Sequence, residues 1–288
     1  MAPARILLAG ERKYDLSSPI VMGILNTTPD SFSDGAELAS PTPGKFRVDI
    51  DKAFFRARAM VSDGAAIVDV GGESTRPGAN KVSVQEELDR VVPVIERLNS
   101  DLDVTISIDT SSSTVMREAI NAGARMVNDV RALADAGAVD SIKDLNVALC
   151  LMHMQGAPAT MQQAPDYIDV VTEVSNFLIE RVSFAINEGV DRSCLVVDPG
   201  FGFGKTLEHN YNLLKNMRDL RPIDVPRIIG VSRKSMIGIV TDRDVKQRLA
   251  GSIAATVIGL NNGASIVRTH DVSATIDAIK VFEVARRA

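Results

Sequence analysis

Eight short polar stretches, each directly behind an apolar run, hold most of the side chains that could do chemistry. They are Asn26-Thr27-Thr28-Pro29-Asp30-Ser31-Phe32, Gly71-Gly72-Glu73-Ser74-Thr75-Arg76-Pro77-Gly78, Asp109-Thr110, Asn128-Asp129, Met152-His153-Met154, Asp198-Pro199-Gly200-Phe201-Gly202-Phe203-Gly204-Lys205, Ser232-Arg233-Lys234-Ser235 and Arg268-Thr269-His270-Asp271. Carboxylates, amides and cations gathered at one rim would hold a polar heterocycle beside an anion. Taken singly, each residue is ambiguous. Asp109 or Asp198 behind a strand also serves as a cap for the next helix. Lys234 suits a Schiff base, a phosphate contact or a solvated charge. Arg76 and Arg268 read as surface cations unless both face one pocket, where they suit a phosphate or pyrophosphate. His270 by itself reads as structural.

The glycine-rich Gly200-Phe-Gly-Phe-Gly-Lys-Thr206 invites comparison with a nucleotide loop, and it fails. Such a loop needs a Gly five positions before the Gly of its Gly-Lys-Thr end, where this chain has Pro199. The glycines instead let backbone pack closely under a planar ligand, with Phe201 or Phe203 as an apolar wall. Met152 and Met154 either line the same slot or fill the core.

The elements that must position these residues are legible from periodicity. The apolar runs are PIVMGIL, AAIVDV, VTISI, ARMVN, VALCLM, CLVVD, PRIIGV and ASIVRT. Between them lie helical spacings such as Ile50, Ala53, Phe54, Ala57, Met60 and Val61, and then Leu88, Val91, Val92 and Ile95. Ser83 and Glu86 have the spacing of a capping box. Gly64, Gly123, Gly189 and Gly263 stand where helices end in a left-handed residue. Near-continuous apolar strands alternating with helices predict a parallel sheet. Eight repeats in 288 residues predict one α/β domain, a single (β/α)8 TIM barrel whose core runs from about 19 to 285. A doubly wound sheet would carry a phosphate fingerprint behind its first strand, and none is present. Long βα loops are expected after the first two strands, the first including Ser33–Thr42. In such a barrel the strands' C-terminal ends carry the site.

Composition excludes several classes. With 45% hydrophobic and 24% charged residues the chain is globular, and 32 Lys+Arg against 37 Asp+Glu give a net charge of −5. No global field favours nucleic acid or an acidic membrane. Cys150 and Cys194 sit inside apolar runs, as structural thiols do, and the N-terminus has too short an apolar stretch for a signal segment. A cytoplasmic enzyme is expected. His153, His209 and His270 lack the spacing of a protein-built zinc site, so a metal should arrive with substrate.

Taken together, Asn26–Asp34, Asp69–Gly78, Ile108–Thr110, Asn128-Asp129, Leu151–Met154, Asp198–Lys205 and Ser232–Ser235 resemble the dihydropteroate synthase family, the sulfonamide targets of folate biosynthesis. The likeness runs from about Pro19 to Asp271. Two departures, Thr27 in place of a frequent Val and Ala36 in place of a frequent Gly, touch no residue assigned a catalytic, pterin or pyrophosphate role. The resemblance implies a barrel, usually a homodimer, that condenses 6-hydroxymethyl-7,8-dihydropterin pyrophosphate with p-aminobenzoate through SN1-like loss of pyrophosphate, with Mg2+ on the leaving group. It also implies roles. Asp109, Asp198, Lys234, Arg268 and His270 would be catalytic. Asp109, Asn128, Met152, Asp198, Gly202, Phe203 and Lys234 would seat the pterin. Asn26, Thr75, Arg76, Arg268 and His270 would hold pyrophosphate, with Asn26 on the metal. Thr27, Pro29, Phe32, Pro77, Phe203, Ser232 and Lys234 would surround p-aminobenzoate or a sulfonamide. The chemistry is coherent, because a pterin's N3–H and 2-amino group form a two-donor edge that one buried carboxylate accepts. The alternatives are a non-catalytic pterin-binding paralogue, a methyltetrahydrofolate-dependent methyltransferase subunit and, from the residues alone, a Schiff-base aldolase on Lys234.

Overall fold

The computed structural model describes residues 6–28, 38, 47–74, 82–158, 160–220 and 224–288. It opens with an antiparallel hairpin, β1 (Ile6–Ala9) and β2 (Arg12–Asp15), turning at Gly10. The eight apolar runs follow as β3 (Ile20–Asn26), β4 (Ile67–Gly71), β5 (Thr105–Asp109), β6 (Met126–Asp129), β7 (Ala148–Met152), β8 (Leu195–Asp198), β9 (Ile228–Ile229) and β10 (Ile266–Thr269). All pair in parallel, in the order β8-β7-β6-β5-β4-β3-β10-β9. A bridge between Val197 and Arg227 joins the two ends and closes the barrel. The expected (β/α)8 architecture is therefore the one adopted.

Helices α1 (Ile50–Ser62), α2 (Val84–Asp101), α3 (Ser113–Ala122), α4 (Val170–Asn187), α5 (Leu207–Asn216), α6 (Ser235–Thr241), α7 (Leu249–Asn261) and α8 (Val272–Arg287) form the outer layer. Alternation breaks in two places among the described residues. β9 is followed by two helices, and β6 reaches β7 through a 3-10 turn at Val139–Ser141 with no α-helix. There the Asp129 carboxylate accepts the backbone N–H groups of Arg131 and Leu133 at 2.8 and 2.7 Å, bending the chain just where a helix would start. β3 ends at Asn26 and α1 begins only at Ile50, while β4 ends at Gly71 and α2 begins at Val84, so the two expected long loops are present.

Strand residues alternate between two environments. Val21, Leu25, Val68, Val70, Ile106, Ile108, Val127, Leu149, Leu151, Val197 and Val267 face the helices. Their neighbours face the barrel interior, where Met22, Ile67, Met126, Ala148, Cys150, Val196, Ile228 and Ile266 pack on Leu7, Ala9 and Leu16. The hairpin thus seals the N-terminal end of the barrel. It precedes the core boundary expected at about residue 19, and its four-residue strands are too short to stand out by periodicity. The upper interior is polar, and Asp69, Ser107, Asn128 and Asp198 are all buried there. A barrel that is apolar below and polar above has only one end fit for a polar ligand.

Local signals are obeyed with one exception. The predicted helix-ending glycines, Gly64, Gly123, Gly189 and Gly263, all take positive φ. At α2 only half of the capping box forms, since Ser83 accepts from the Glu86 N–H while the Glu86 carboxylate turns to Arg90 at 2.6 Å. A guanidinium within one helical turn is a stronger partner than a neutral backbone N–H.

Candidate active site

The C-terminal strand ends surround a cavity of about 620 Å3. Of the residues singled out by sequence, Asn26, Asp109, Gly202, Phe203, Ser232, Lys234, Arg268 and His270 line it. Asn128, Met152 and Asp198 are buried and do not line it, although Asp198 Oδ2 comes within 3.5 Å of the Cβ position of the lining Gly230. Side chains from the ends of seven of the eight barrel strands are thereby gathered at one rim.

Asp198 and Lys234 define the deep end. Asp198 Oδ1 accepts the Gly200 N–H at 2.7 Å, which fixes the carboxylate. Its Oδ2 stands 3.5 Å from the point a Cβ on Gly230 would occupy, and Lys234 Nζ stands 3.9 Å from the same point. The missing side chain at Gly230 therefore leaves a slot between a carboxylate and an ammonium. Burial raises the Asp198 pKa, opposed by the nearby Lys234, and burial lowers that of Lys234 to about 8. Lys234 Nζ donates to the Phe201 carbonyl and lies 4.8 Å from the centre of the Phe203 ring. Phe203 is the apolar wall; Phe201 is fully buried in the helix-side core.

The opposite side is built on Arg268. Its Nη2 donates to Asp109 Oδ2 and its Nε to Asp69 Oδ2, both at 2.7 Å. Burial weakens the guanidinium's hold on its proton, but the two carboxylates outweigh it and keep Arg268 charged. Asp109 is pushed up to about 7, first by burial and then by the neighbouring charges of Asp69, Glu87 and Asp129, against the opposing pull of Arg268. A carboxylate poised at neutral pH beside a fixed cation can respond to positive charge developing on a ligand.

The Gly200–Lys205 segment is a packed shelf. A Cβ on Gly200 would lie 1.8 Å from the His153 carbonyl oxygen, and φ there is +72°, so only glycine fits. Lys205 reaches beneath and donates to the carbonyls of Gly200 and Phe203 at 2.9 and 3.1 Å, with His153 Nδ1 at 2.9 Å. Burial and Lys205 depress the His153 pKa to about 3, so the imidazole is neutral. At the rim, Ser232 Oγ meets His270 Nδ1 at 3.1 Å. Arg233 pairs with Asp271 through Nε at 2.9 Å, fastening the Ser232–Ser235 turn to β10.

Thr27 needs correction. It is fully buried and donates its hydroxyl to the Gly71 carbonyl at 2.9 Å, while Thr28 lines the cavity. The first residue behind β3 to line the cavity is thus Thr28. Pro29, Phe32, Thr75, Arg76 and Pro77 lie outside the described residues. Sequence reasoning missed Asp69, Lys205, Gly230, Met161 and Gln162. The last two line the cavity, and Gln162 donates to the Gly202 carbonyl at 2.5 Å. Met161 and Gln162 come from the connection after β7, where no periodicity marks them.

Below the second long loop, Glu87 on α2 packs against Gly72 and is 4% exposed. Burial raises its pKa from 4.5 to about 7, relieved by Thr110 and aggravated by Glu73. The folded state then keeps a proton that the unfolded state has lost between pH 4.5 and about 7. Stability falls as pH rises through that window. Because a tenfold difference in proton affinity between the folded and unfolded states is worth about 1.4 kcal/mol, Glu87→Gln is expected to stabilise the protein by up to about 3 kcal/mol at pH 8 and by little at pH 5. Urea unfolding at the two pH values checks this; equal effects at both would show that Glu87 is ionised throughout.

Comparison with known proteins agrees with this geometry. The family model described as pterin binding enzyme matches residues 22–270. The dihydropteroate synthase of Haemophilus influenzae is 47% identical over 98% of this chain and 99% of its own length. That of Escherichia coli K12 is 47% identical over 96% and 95%. Among solved structures, Yersinia pestis dihydropteroate synthase in a sulfonamide drug complex superposes with a TM-score of 0.93 at 45% identity, covering 98% of this chain and 100% of that one. The Xanthomonas albilineans enzyme with 4-aminobenzoic acid gives 0.89 at 44% identity, covering 99% of both chains. The same enzyme with 7,8-dihydropteroate gives 0.84 at 39% identity, covering 99% of both chains. With a family model spanning most of its length and relatives aligned end to end, this chain belongs to the dihydropteroate synthase family of pterin-binding enzymes.

Proposed function

We propose that the cavity condenses 6-hydroxymethyl-7,8-dihydropterin pyrophosphate with p-aminobenzoate, releasing pyrophosphate and forming 7,8-dihydropteroate. The observation that carries this is a carboxylate–ammonium floor, Asp198 and Lys234, facing an arginine held on two carboxylates across one cavity. The floor suits a flat heterocycle with a donor edge at Asp198 and acceptor atoms at Lys234. Asn128 and Asp109 take its remaining polar atoms, and Met152, Gly202 and Phe203 flank its faces. Arg268 and His270, with Thr75 and Arg76, hold the anion.

The carbon–oxygen bond to pyrophosphate breaks with its electron pair leaving on oxygen. The positive charge left on the pterin methylene spreads over the ring, where Asp109 and Asp198 stabilise it from fixed positions. The amine nitrogen of p-aminobenzoate then forms the carbon–nitrogen bond and loses a proton to solvent. Phe203, Thr28, Ser232 and Lys234, with Pro29, Phe32 and Pro77, enclose that second substrate. Sulfonamides, arylamines of like shape, occupy the same end.

Mg2+ fits the residues present. Among the described residues no cluster of three or more acidic, His or Cys side chains forms a metal cage. A hard cation that keeps phosphate oxygens and waters needs only one or two protein oxygens, and the Asn26 carboxamide lines the cavity beside Asp109 and Gly71. When bound, Mg2+ neutralises charge on the departing pyrophosphate. The homodimer is supported by apolar side chains on the outer faces of α7 and α8, where Ile258, Val281 and Val284 are 47%, 72% and 71% exposed. A cytoplasmic location is in keeping with the buried free thiols of Cys150 and Cys194 and with the absence, among the described residues, of a helix long and apolar enough to cross a membrane.

The test is pyrophosphate release from the pterin pyrophosphate with Mg2+, with and without p-aminobenzoate. Release coupled to dihydropteroate, abolished by EDTA and competitively inhibited by a sulfonamide, is the expected result. Pterin binding without release would replace this reading with the non-catalytic one.

A further inference from the structure

Asp69 belongs to no substrate contact assigned above, yet it is completely buried, at 0% exposure, where Asp109 is 14% and Asp198 5% exposed. It projects from the middle of β4 into the barrel, one inward position below Gly71. A single atom, Oδ2, accepts both Arg268 Nε at 2.7 Å and Asn128 Nδ2 at 3.1 Å. In the sheet order, β6 and β10 each lie two strands from β4, on opposite sides. These bonds are therefore chords across the interior, and they tie the anion side of the site to the pterin side.

Each bond removes a freedom that matters for chemistry. The guanidinium, held at Nε by Asp69 and at Nη2 by Asp109, has its plane fixed by two carboxylates. Asn128 is held more subtly. An amide can be turned over to exchange its donor and acceptor, but a carboxylate accepts only, so the nitrogen must face Asp69 and the oxygen must face away. The donor and acceptor pattern that Asn128 offers a heterocycle is set from behind by Asp69.

We propose that Asp69 is a positioning and specificity-determining residue, fixing the flip state of Asn128 and the plane of Arg268 through one shared oxygen. The inference rests on the function proposed above for the consequences in turnover, and on geometry alone for pterin binding. Asp69→Asn offers Asn128 either a donor or an acceptor, so both flip states become available, and it removes one of the two charges that hold Arg268.

The experiment is a double-mutant cycle of Asp69→Asn and Asn128→Ala, read by fluorescence titration with 6-hydroxymethylpterin and by steady-state kinetics. Asp69→Asn is expected to weaken pterin binding about tenfold and to lower kcat by at least about tenfold, with KM for p-aminobenzoate changed by less than about threefold. In the Asn128→Ala background the effect of Asp69→Asn on pterin binding is expected to vanish, which a merely structural residue would not produce. An additive cycle, or binding and kcat within twofold of wild type, overturns the proposal. If the variants do not fold, the wild-type Asn128 side-chain amide decides by NMR: hydrogen exchange slowed by the bond to Asp69 supports the inference, and exchange at the free-amide rate overturns it. Failure of the wild type to turn over would refute the proposed function, whereas the binding cycle would still judge Asp69.

Discussion

Asp198→Asn is expected to lower kcat/KM by at least about a thousandfold while leaving the unfolding midpoint nearly unchanged. Asp198 Oδ1 is anchored by the Gly200 N–H, so the substituted side chain keeps its position and its acceptor there. What changes is the atom facing the slot at Gly230, where an amide NH2 would replace Oδ2 and oppose the donor edge of the pterin. A mispaired buried donor costs about 1–3 kcal/mol, and loss of a preorganised charge opposite the developing cation costs about 3–4 kcal/mol more. The second contribution exists only in the transition state, so kcat should fall much further than pterin affinity does. Lys234→Ala is expected to behave alike, since it removes the cation on the other side of the same slot. Steady-state kinetics beside pterin titration make the test, and activity within tenfold of wild type for Asp198→Asn would remove Asp198 from the floor of the site.

Arg268→Met has the largest expected effect on stability. It strips the cation from Asp69, which is 0% exposed, and from Asp109, which is 14% exposed. Breaking a buried pair from one side costs about 3–5 kcal/mol, because the charge left behind can neither solvate nor pair. Its pH dependence follows from the direction in which burial moves Asp109. That carboxyl already titrates near pH 7 with Arg268 present, and losing the guanidinium raises it further. A carboxylate with a raised folded pKa favours the folded state at low pH and loses that contribution as pH rises through it. The variant should therefore lie closer to wild type at pH 5.5 than at pH 8 in urea unfolding, and turnover should be lost at both. An equal deficit at the two pH values would mean that Asp69 and Asp109 draw their compensation from elsewhere.

Both substitutions act on a polar interior that couples stability to chemistry. The upper barrel holds Asp69, Asp109 and Asp198 against Arg268 and Lys234, and the protonation of Asp109, Asp198 and Lys234 depends on their charged neighbours. A bound pyrophosphate and a cationic pterin would enter that balance from opposite sides. The site is arranged for charge to separate inside it.

The architecture and the rim are written in the chain's local patterns. Eight runs of β-branched and aliphatic residues become the eight barrel strands because parallel strands are buried on both faces, and polar residues behind them become the site because a barrel gathers those ends. Choices among chemically equal candidates belong to the three-dimensional packing. Phe201 and Phe203 are both aromatic residues flanked by glycines, and the path of the shelf sends one into the core and the other into the cavity. Thr27 and Thr28 are neighbours just beyond the end of β3, and the packing there sends the first to the Gly71 carbonyl and the second to the cavity. Asp69 stands within a recognisable motif yet has no role legible there, because a lone acid inside an apolar strand says nothing about which strands lie across from it. Its partners on β6 and β10 are 59 and 199 residues away in the chain. Closure of the barrel, a long-range event that no local spacing encodes, brings both onto one oxygen.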